Sequence, residues 1–226
     1  MKQELRLLED YNDKLSEIYD KEITNPDHFW YVPPKVKEFL SPYIKSNCKV
    51  LDIGIGTGKT AEYFSEKKCV ITGVDISQKM LDAAKSQHPD WELFKADIQS
   101  GFDFLEGQKF DIIIAAGIFE FVENIETVLE HLYSLSNTSG KICFTYEEYI
   151  PDSRLQQWKI SELGKGITDP IPGNLSFLVY RRTAEEVENI LTPIFQILKS
   201  ERIIAYYKTP DKIPVQYNIL LIQKNA

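Results

Sequence analysis

The chain has 226 residues, 43% of them apolar, with a formal net charge of −8 and a pI near 5.0. That length and apolar share predict one domain with a sizeable core and at most a small appendage. The acidic balance excludes the basic face that a nucleic-acid backbone requires, no stretch is long and apolar enough to span a membrane, and three cysteines without CxxC or Cys/His spacing exclude a zinc or disulfide framework.

Leu5, Leu8, Tyr11, Leu15 and Ile18 recur at helical spacing, so residues 3–21 read as an amphipathic helix. Asn25-Pro26 breaks it, and Pro33-Pro34 opens a second helix carrying Val36, Phe39, Leu40 and Tyr43. Apolar runs then alternate with helical stretches. Strands are predicted at Lys49–Ile53, Val70–Val74, Trp91–Lys95, Phe110–Ala116 and Lys141–Tyr146, the last after the turn Thr138-Ser139-Gly140. Helices are predicted at about 58–67, 77–87 and 124–136. Continuous apolar strands alternating with helices indicate a mostly parallel sheet covered on both faces. Residues 150–176 are rich in Pro and Gly and read as a lid or connector, with one helical turn near 153–163. Thr183-x-x-Glu186 is a capping box that opens a helix ending before Pro193. Two long strands follow, Ile194–Lys208 and Val215–Gln223. Cys48, Cys69 and Cys143 sit in or beside predicted strands, where a free thiol behaves as a small hydrophobe. No apolar segment follows a basic start, so no signal peptide is expected and a reducing cytoplasm is the expected location. The pairs Lys67-Lys68 and Arg181-Arg182 read as solvated charge.

The most specific signal is Val50-Leu51-Asp52-Ile53-Gly54-Ile55-Gly56-Thr57-Gly58-Lys59-Thr60. A strand, a glycine turn and a helix start make a nucleotide-sized site. The spacing is not G-x-G-x-x-G, because position 59 is Lys59. It is not the P-loop, because position 53 is Ile53. The run Asp52-x-Gly54-x-Gly56-x-Gly58 resembles motif I of the class I S-adenosylmethionine (SAM)-dependent methyltransferases. Asp75 ends the second strand 17 residues after Gly58, where an acid holds a ribose diol. The resemblance covers about residues 45–150.

It implies a Rossmann-like, doubly wound α/β fold: a seven-stranded sheet, mostly parallel with an antiparallel last strand, and helices on both faces. Residues 1–45 would form an N-terminal helical cover and 46–226 the methyltransferase domain, with a lid or connector at about 150–180. S-adenosyl-L-methionine would be the cofactor, leaving S-adenosyl-L-homocysteine (SAH). Its implied binding residues are Asp52, Gly54, Gly56, Gly58, Asp75, Ile76, Asp97, Ile98, Ala116, Gly117, Phe119 and, from the cover, Tyr31. Asp52 either binds the cofactor's amino group or ties the loop together. Asp75 and Asp97 each have an alternative role as a cap, and Ile76 and Ile98 as ordinary core.

Glu120, Glu147 and His28 are the candidate bases, with Tyr146 and Glu148 also placed near the transferable methyl by their positions at strand ends. The alternatives are exposed charge for the acids and a packing role for His28. The absence of an Asn/Asp-Pro-Pro-Tyr/Phe run after the fourth strand, and of a Pro-Cys pair, together with the acidic pI, favours a small-molecule O, N or S acceptor. A monomer or homodimer is expected. A non-catalytic SAM-binding module, a protein methyltransferase and an NAD(P)-dependent oxidoreductase are the rivals. No metal is expected.

Overall fold

The computed structural model describes residues 3–23, 25, 29–150, 156, 179–208 and 212–225. His28, the helical turn near 153–163 and most of the lid expected at 150–180 therefore lie outside the described residues.

One sheet of seven strands organises the chain: β1 (Lys49–Ile53), β2 (Val70–Asp75), β3 (Glu92–Lys95), β4 (Phe110–Ala115), β5 (Ser136–Glu147), β6 (Phe195–Lys208) and β7 (Ile213–Lys224). Their spatial order is β3-β2-β1-β4-β5-β7-β6. The strands from β1 to β5 pair in parallel. Only β7 runs against its neighbours, pairing antiparallel with β5 and with β6. The helices are α1 (Gln3–Leu15), α2 (Tyr19–Glu22), α3 (Val32–Leu40), α4 (Ala61–Glu66), α5 (Gln78–Gln87), α6 (Ile125–Leu135) and α7 (Ala184–Leu191).

Strand periodicity divides the core in two. Leu51, Ile53, Ile113 and Ala115 point to one face, where they pack with Val128, Leu129 and Leu132 of α6 and Val187 and Leu191 of α7. Val50, Ile112 and Ile114 point to the other, against Val36, Phe39 and Leu40 of α3 and Ala61 and Phe64 of α4. Both faces are thus buried, which is why the central strands read as unbroken apolar runs. The three cysteines are buried and free. Among the described residues no helix is long and apolar enough to cross a membrane.

Three expectations about elements are corrected. The predicted helix 3–21 is two helices, α1 and α2, separated by a turn at 16–18. The break lets Asp20 accept a hydrogen bond from Thr57 Oγ1 at 2.6 Å and pair with Lys59 at 3.2 Å. The helix after the glycine turn begins at Ala61 rather than near residue 58. Gly58 has φ +92°, outside the helical region, so no helix can run through it. The strand expected from Lys141 starts at Ser136. The turn 138–140 is absorbed as a bulge, with the register stepping from Phe110↔Ser136 to Ile112↔Lys141. Gly140 permits it: a Cβ there would lie 2.4 Å from Ser136 Oγ. The capping box forms as expected, Glu186 N–H donating to Thr183 Oγ1 at 3.2 Å and Thr183 N–H to Glu186 Oε2 at 2.7 Å.

Candidate active site

The chain order of the strands reverses between β1 and β4, so the loops that follow these two strands diverge and leave a crevice beyond their C-terminal ends. A cavity of about 380 Å³ lies there. The turn after β1 contributes Gly54 and Gly56, the end of β2 contributes Asp75 and Ile76, and the turn after β3 contributes Ala96–Gln99. The turn after β4 supplies Ala116–Ile118 and Glu120–Val122, while α1, α2 and Trp30 cover the mouth.

The glycine turn is drawn tight against β2. The N–H groups of Gly54 and Ile55 both donate to the Val74 carbonyl, at 2.7 and 3.1 Å. The Gly56 N–H donates to Asp75 Oδ2 at 2.8 Å. These donors are committed to the protein, so the turn is not the cradle of free amides that a phosphate needs. Gly54 takes φ +72°, and a Cβ on it would sit 2.3 Å from Ile118 Cγ2. Gly56 takes φ +56° and opens onto the cavity, with the Tyr19 ring 3.9 Å from where its Cβ would be. Gly58 lies away from the cavity, where a Cβ on it would sit 2.6 Å from the Trp91 ring.

Asp75 sits at the rim and holds the turn. Its Oδ1 accepts from Ser77 N–H at 2.9 Å. Burial raises its pKa, opposed by the amides of Ser77, Gly56 and Ile76 and reinforced by the charge of Asp13. Ser77 caps α5, its Oγ accepting from Met80 N–H at 3.1 Å and donating to Asp13 of α1 at 2.5 Å. The first helix is thereby tied to the rim. Asp97 also faces the cavity and caps its own turn, accepting from Gln99 N–H at 3.0 Å and Ser100 Oγ at 3.2 Å. Ile76, Ile98 and Met80 supply the apolar walls.

Asp52 is 3% exposed and lies off the cavity wall. Its Oδ2 has no hydrogen-bond partner among the described residues. Burial, with the charge of Asp75 adding to it, pushes its pKa up to about 8. Two other expected residues are also off the wall. Phe119 is fully buried in the core beneath the β4 turn, its ring 4.8 Å from that of Phe144. Tyr31 is 40% exposed. Its backbone N–H donates to the Ala205 carbonyl at 2.8 Å, and its ring meets Phe29 and Tyr207.

The strand-end acids separate into different roles. Glu120 faces the cavity. Its Oε1 accepts from Tyr217 OH at 2.7 Å, while Oε2 has no partner among the described residues. Burial pushes its pKa up to about 7; Glu147 adds to the rise, and the Tyr217 hydrogen bond and the Arg181 charge oppose it. Glu147 is engaged elsewhere, accepting from Arg181 Nε at 2.6 Å within the protein. Glu148 takes two hydrogen bonds from Arg202, both at 2.5 Å. Tyr146 is buried in the core and accepts from Asn218 Nδ2 at 3.0 Å. Of the acids expected near the reacting centre, only Glu120 lines the cavity.

The expectation that Arg181 and Arg182 are solvated is overturned: they are 6% and 5% exposed. Arg182 satisfies the Val122, Glu123 and Tyr180 carbonyls, at 2.7, 2.9 and 3.1 Å, which fixes the end of the turn after β4. Sequence reasoning also missed Tyr206 on the cavity wall and Tyr217 behind Glu120, because both lie in strands far along the chain. Their only signal was the aromatic pattern of the two long C-terminal strands.

Residues 50–140 match the family model described as a methyltransferase domain. An uncharacterised protein of Haemophilus influenzae is 27% identical over 147 residues, which is 61% of this chain and 57% of that protein. A ubiquinone biosynthesis O-methyltransferase of Coxiella burnetii is 29% identical over 99 residues, 42% of each chain. The matches thus span about half the length of these curated relatives. Among solved structures, magnesium protoporphyrin IX methyltransferase from Synechocystis PCC 6803 with bound SAH superposes with a TM-score of 0.68. It does so over 98% of this chain and 99% of that one at 16% identity, a likeness of fold.

Proposed function

From the match of residues 50–140 to a methyltransferase-domain family model, we propose that this chain is a class I SAM-dependent methyltransferase that transfers the methyl group of SAM to a small molecule held at the Glu120 end of the cavity. The observation that carries the reading is the state of the glycine turn. Its amides are spent on Val74 and Asp75, while Gly56 faces the cavity bare of any side chain. Such a turn accepts a close-lying organic chain but withholds the amides of Gly54, Ile55 and Gly56 from a pyrophosphate.

The remaining residues fit SAM. The Asp75 carboxylate at the rim suits a ribose diol, although two of its lone pairs already serve the loop. Ile76, Ile98 and Met80 suit the faces of an adenine, and Asp97 its amino edge. Gly54, Ala116 and Gly117 line the path towards Glu120. Asp52, Gly58, Phe119 and Tyr31 would support this site from behind or outside rather than touch the cofactor.

When bound, SAM supplies a methyl carbon already activated by the sulfonium. The protein then has to align an acceptor atom with it, and alignment of this kind contributes about 7–11 kcal/mol. The cover made by α1, α2 and Trp30 excludes water and strengthens the electrostatics inside. Glu120 is the group placed to take a proton from the acceptor. It lines the cavity, and burial raises its pKa to about 7.

Calorimetric titration with SAH, with NADH as the comparison, tests the reading. Micromolar binding of SAH and none of NADH is expected. NADH binding without SAH binding would overturn it.

A further inference from the structure

We propose that Cys48 and Cys69 form a reversible disulfide site, oxidised by a low-molecular-weight disulfide, that fastens the first two strands together at the end of the sheet away from the cavity. The site stands apart from the methyltransferase reading and does not depend on it.

Strand register creates the pair. β1 and β2 run parallel, and their ladder begins at Lys49 and Val70. Cys48 and Cys69 are the residues just before that first pair, so they face each other across the sheet. Side chains alternate along a strand, so each cysteine points to the same face as the residue two further on, Val50 and Ile71. All four lie in the same core. The two sulfurs are 2.8 Å apart. Neighbouring strands lie about 4.7–4.9 Å apart, within the range of about 4.4–6.8 Å that Cα atoms take across a disulfide.

The backbone around the pair is already tied down. Asn47 N–H donates to the Lys68 carbonyl and Val70 N–H to the Cys48 carbonyl, both at 2.9 Å. Cys48 N–H donates to the Lys45 carbonyl and Cys69 N–H to the Phe64 carbonyl, both at 3.1 Å. A bond between the sulfurs asks only for a side-chain adjustment. Packing as a small hydrophobe accounts fully for Cys143, which is 0% exposed in the middle of β5. Cys48 and Cys69 sit instead at strand starts, 5% and 8% exposed, where a small thiol reagent can reach the edge of the core. They are 21 positions apart, which hides them from any CxxC spacing. The segment between them carries β1, the glycine turn and α4. β1 and β2 lead at their other ends to Gly54, Gly56 and Asp75. A bond at the base restrains the unfolded chain and holds these strands together.

The exchange balances. Cys69 loses its proton to solvent, and its sulfur attacks one sulfur of the small disulfide, expelling a thiolate. Cys48, deprotonated in turn, attacks the Cys69 sulfur and expels the second thiolate. One S–S bond forms as one breaks, and two electrons pass from the protein to the small disulfide. Burial, the Cys48 thiol and the charge of Asp111 push the Cys69 thiol up to about 12, so the exchange is slow at neutral pH. The approach of the two sulfurs sets the equilibrium, not the rate.

The test equilibrates the full chain with glutathione and an excess of glutathione disulfide at about pH 8.5, where an ordinary thiol is half ionised. Equilibrium is reached from the native reduced protein and also by refolding from urea in the same buffer, which exposes slow thiols. The intact mass should fall by two hydrogen atoms, and a digest should join the Cys48 peptide to the Cys69 peptide and leave Cys143 free. The urea midpoint should rise on oxidation and return when dithiothreitol is added. Cys69→Ala should abolish both the mass loss and the response of the midpoint. Three free thiols from both directions, glutathione left attached to Cys48 or Cys69, a bond that includes Cys143, or an urea midpoint that does not rise would overturn the proposal. The wild-type results decide the matter even if the variant fails to fold.

Discussion

Asp52→Asn is expected to make the free protein more stable, increasingly so as the pH rises. Asp52 lies at the C-terminal end of β1, 3% exposed, with Oδ2 unpartnered among the described residues. Burial and the Asp75 charge raise its pKa from 3.8 to about 8. The folded chain therefore keeps this proton over about four pH units in which the unfolded chain has lost it. The sign follows: where the folded state binds the extra proton, stability falls with rising pH, by at most about 1.4 kcal/mol per pH unit. The loss begins near the unfolded pKa and is complete above about pH 8. Asparagine has the same shape and no charge to bury. The stability of the variant relative to wild type should thus climb by about 2–4 kcal/mol between pH 5 and pH 8 and then level off. Urea unfolding at each pH, extrapolated linearly, measures the difference. A difference that stays flat within about 0.5 kcal/mol would refute the reasoning, since Asp52 would then ionise at its ordinary pKa in the folded chain.

Three further outcomes are expected. With an acceptor that must lose a proton, the rate of methyl transfer should rise through about pH 7 as Glu120 loses its own, with Glu147, Arg181, Tyr206 and Tyr217 as the titratable groups around it; Glu120→Gln should remove that limb and slow the reaction by about 10²–10⁴-fold. A pH–rate profile checks both, and a rising limb that survives in the variant would assign the proton elsewhere. Arg181→Met should cost about 3–5 kcal/mol, because it removes the buried guanidinium from Glu147 and leaves that carboxyl group without an ionic partner in the interior. Pairing it with Glu147→Met should restore most of that loss, and a double variant no more stable than the single one would contradict the account. Gly54→Ala should weaken SAH binding by at least about tenfold, since its Cβ would lie 2.3 Å from Ile118 Cγ2 at φ +72° and push the turns after β1 and β4 apart; calorimetry with unchanged affinity would show that Ile118 yields without cost.

Local and periodic features were legible in the chain itself. Apolar runs of five or six residues, separated by helical stretches, dictated a parallel sheet buried on both faces, and Leu51 and Val50 do point to opposite cores. The capping box at Thr183 and Glu186 was readable because its partners lie three residues apart. The glycine run after Asp52 marked the turn for the same reason, since a turn that ends a strand shows in adjacent residues, although of that run only Gly54 and Gly56 line the cavity. The part each acid plays was not legible, because it depends on distant strands. Glu120, Glu147 and Glu148 stand in similar places at strand ends. Arg181 engages Glu147, Arg202 engages Glu148, and Tyr217 leaves Glu120 one oxygen to spare. The distance along the chain from Glu120 to Tyr217 is 97 residues, and no periodicity reports such a contact. The burial of Arg181 and Arg182 was hidden likewise, since two of the carbonyls that Arg182 satisfies, those of Val122 and Glu123, belong to a turn about 60 residues earlier. Local hydrogen-bonding and hydrophobic patterns determined the sheet and the glycine turn, whereas the long-range pairing of strands and charges decided which carboxylate lines the cavity.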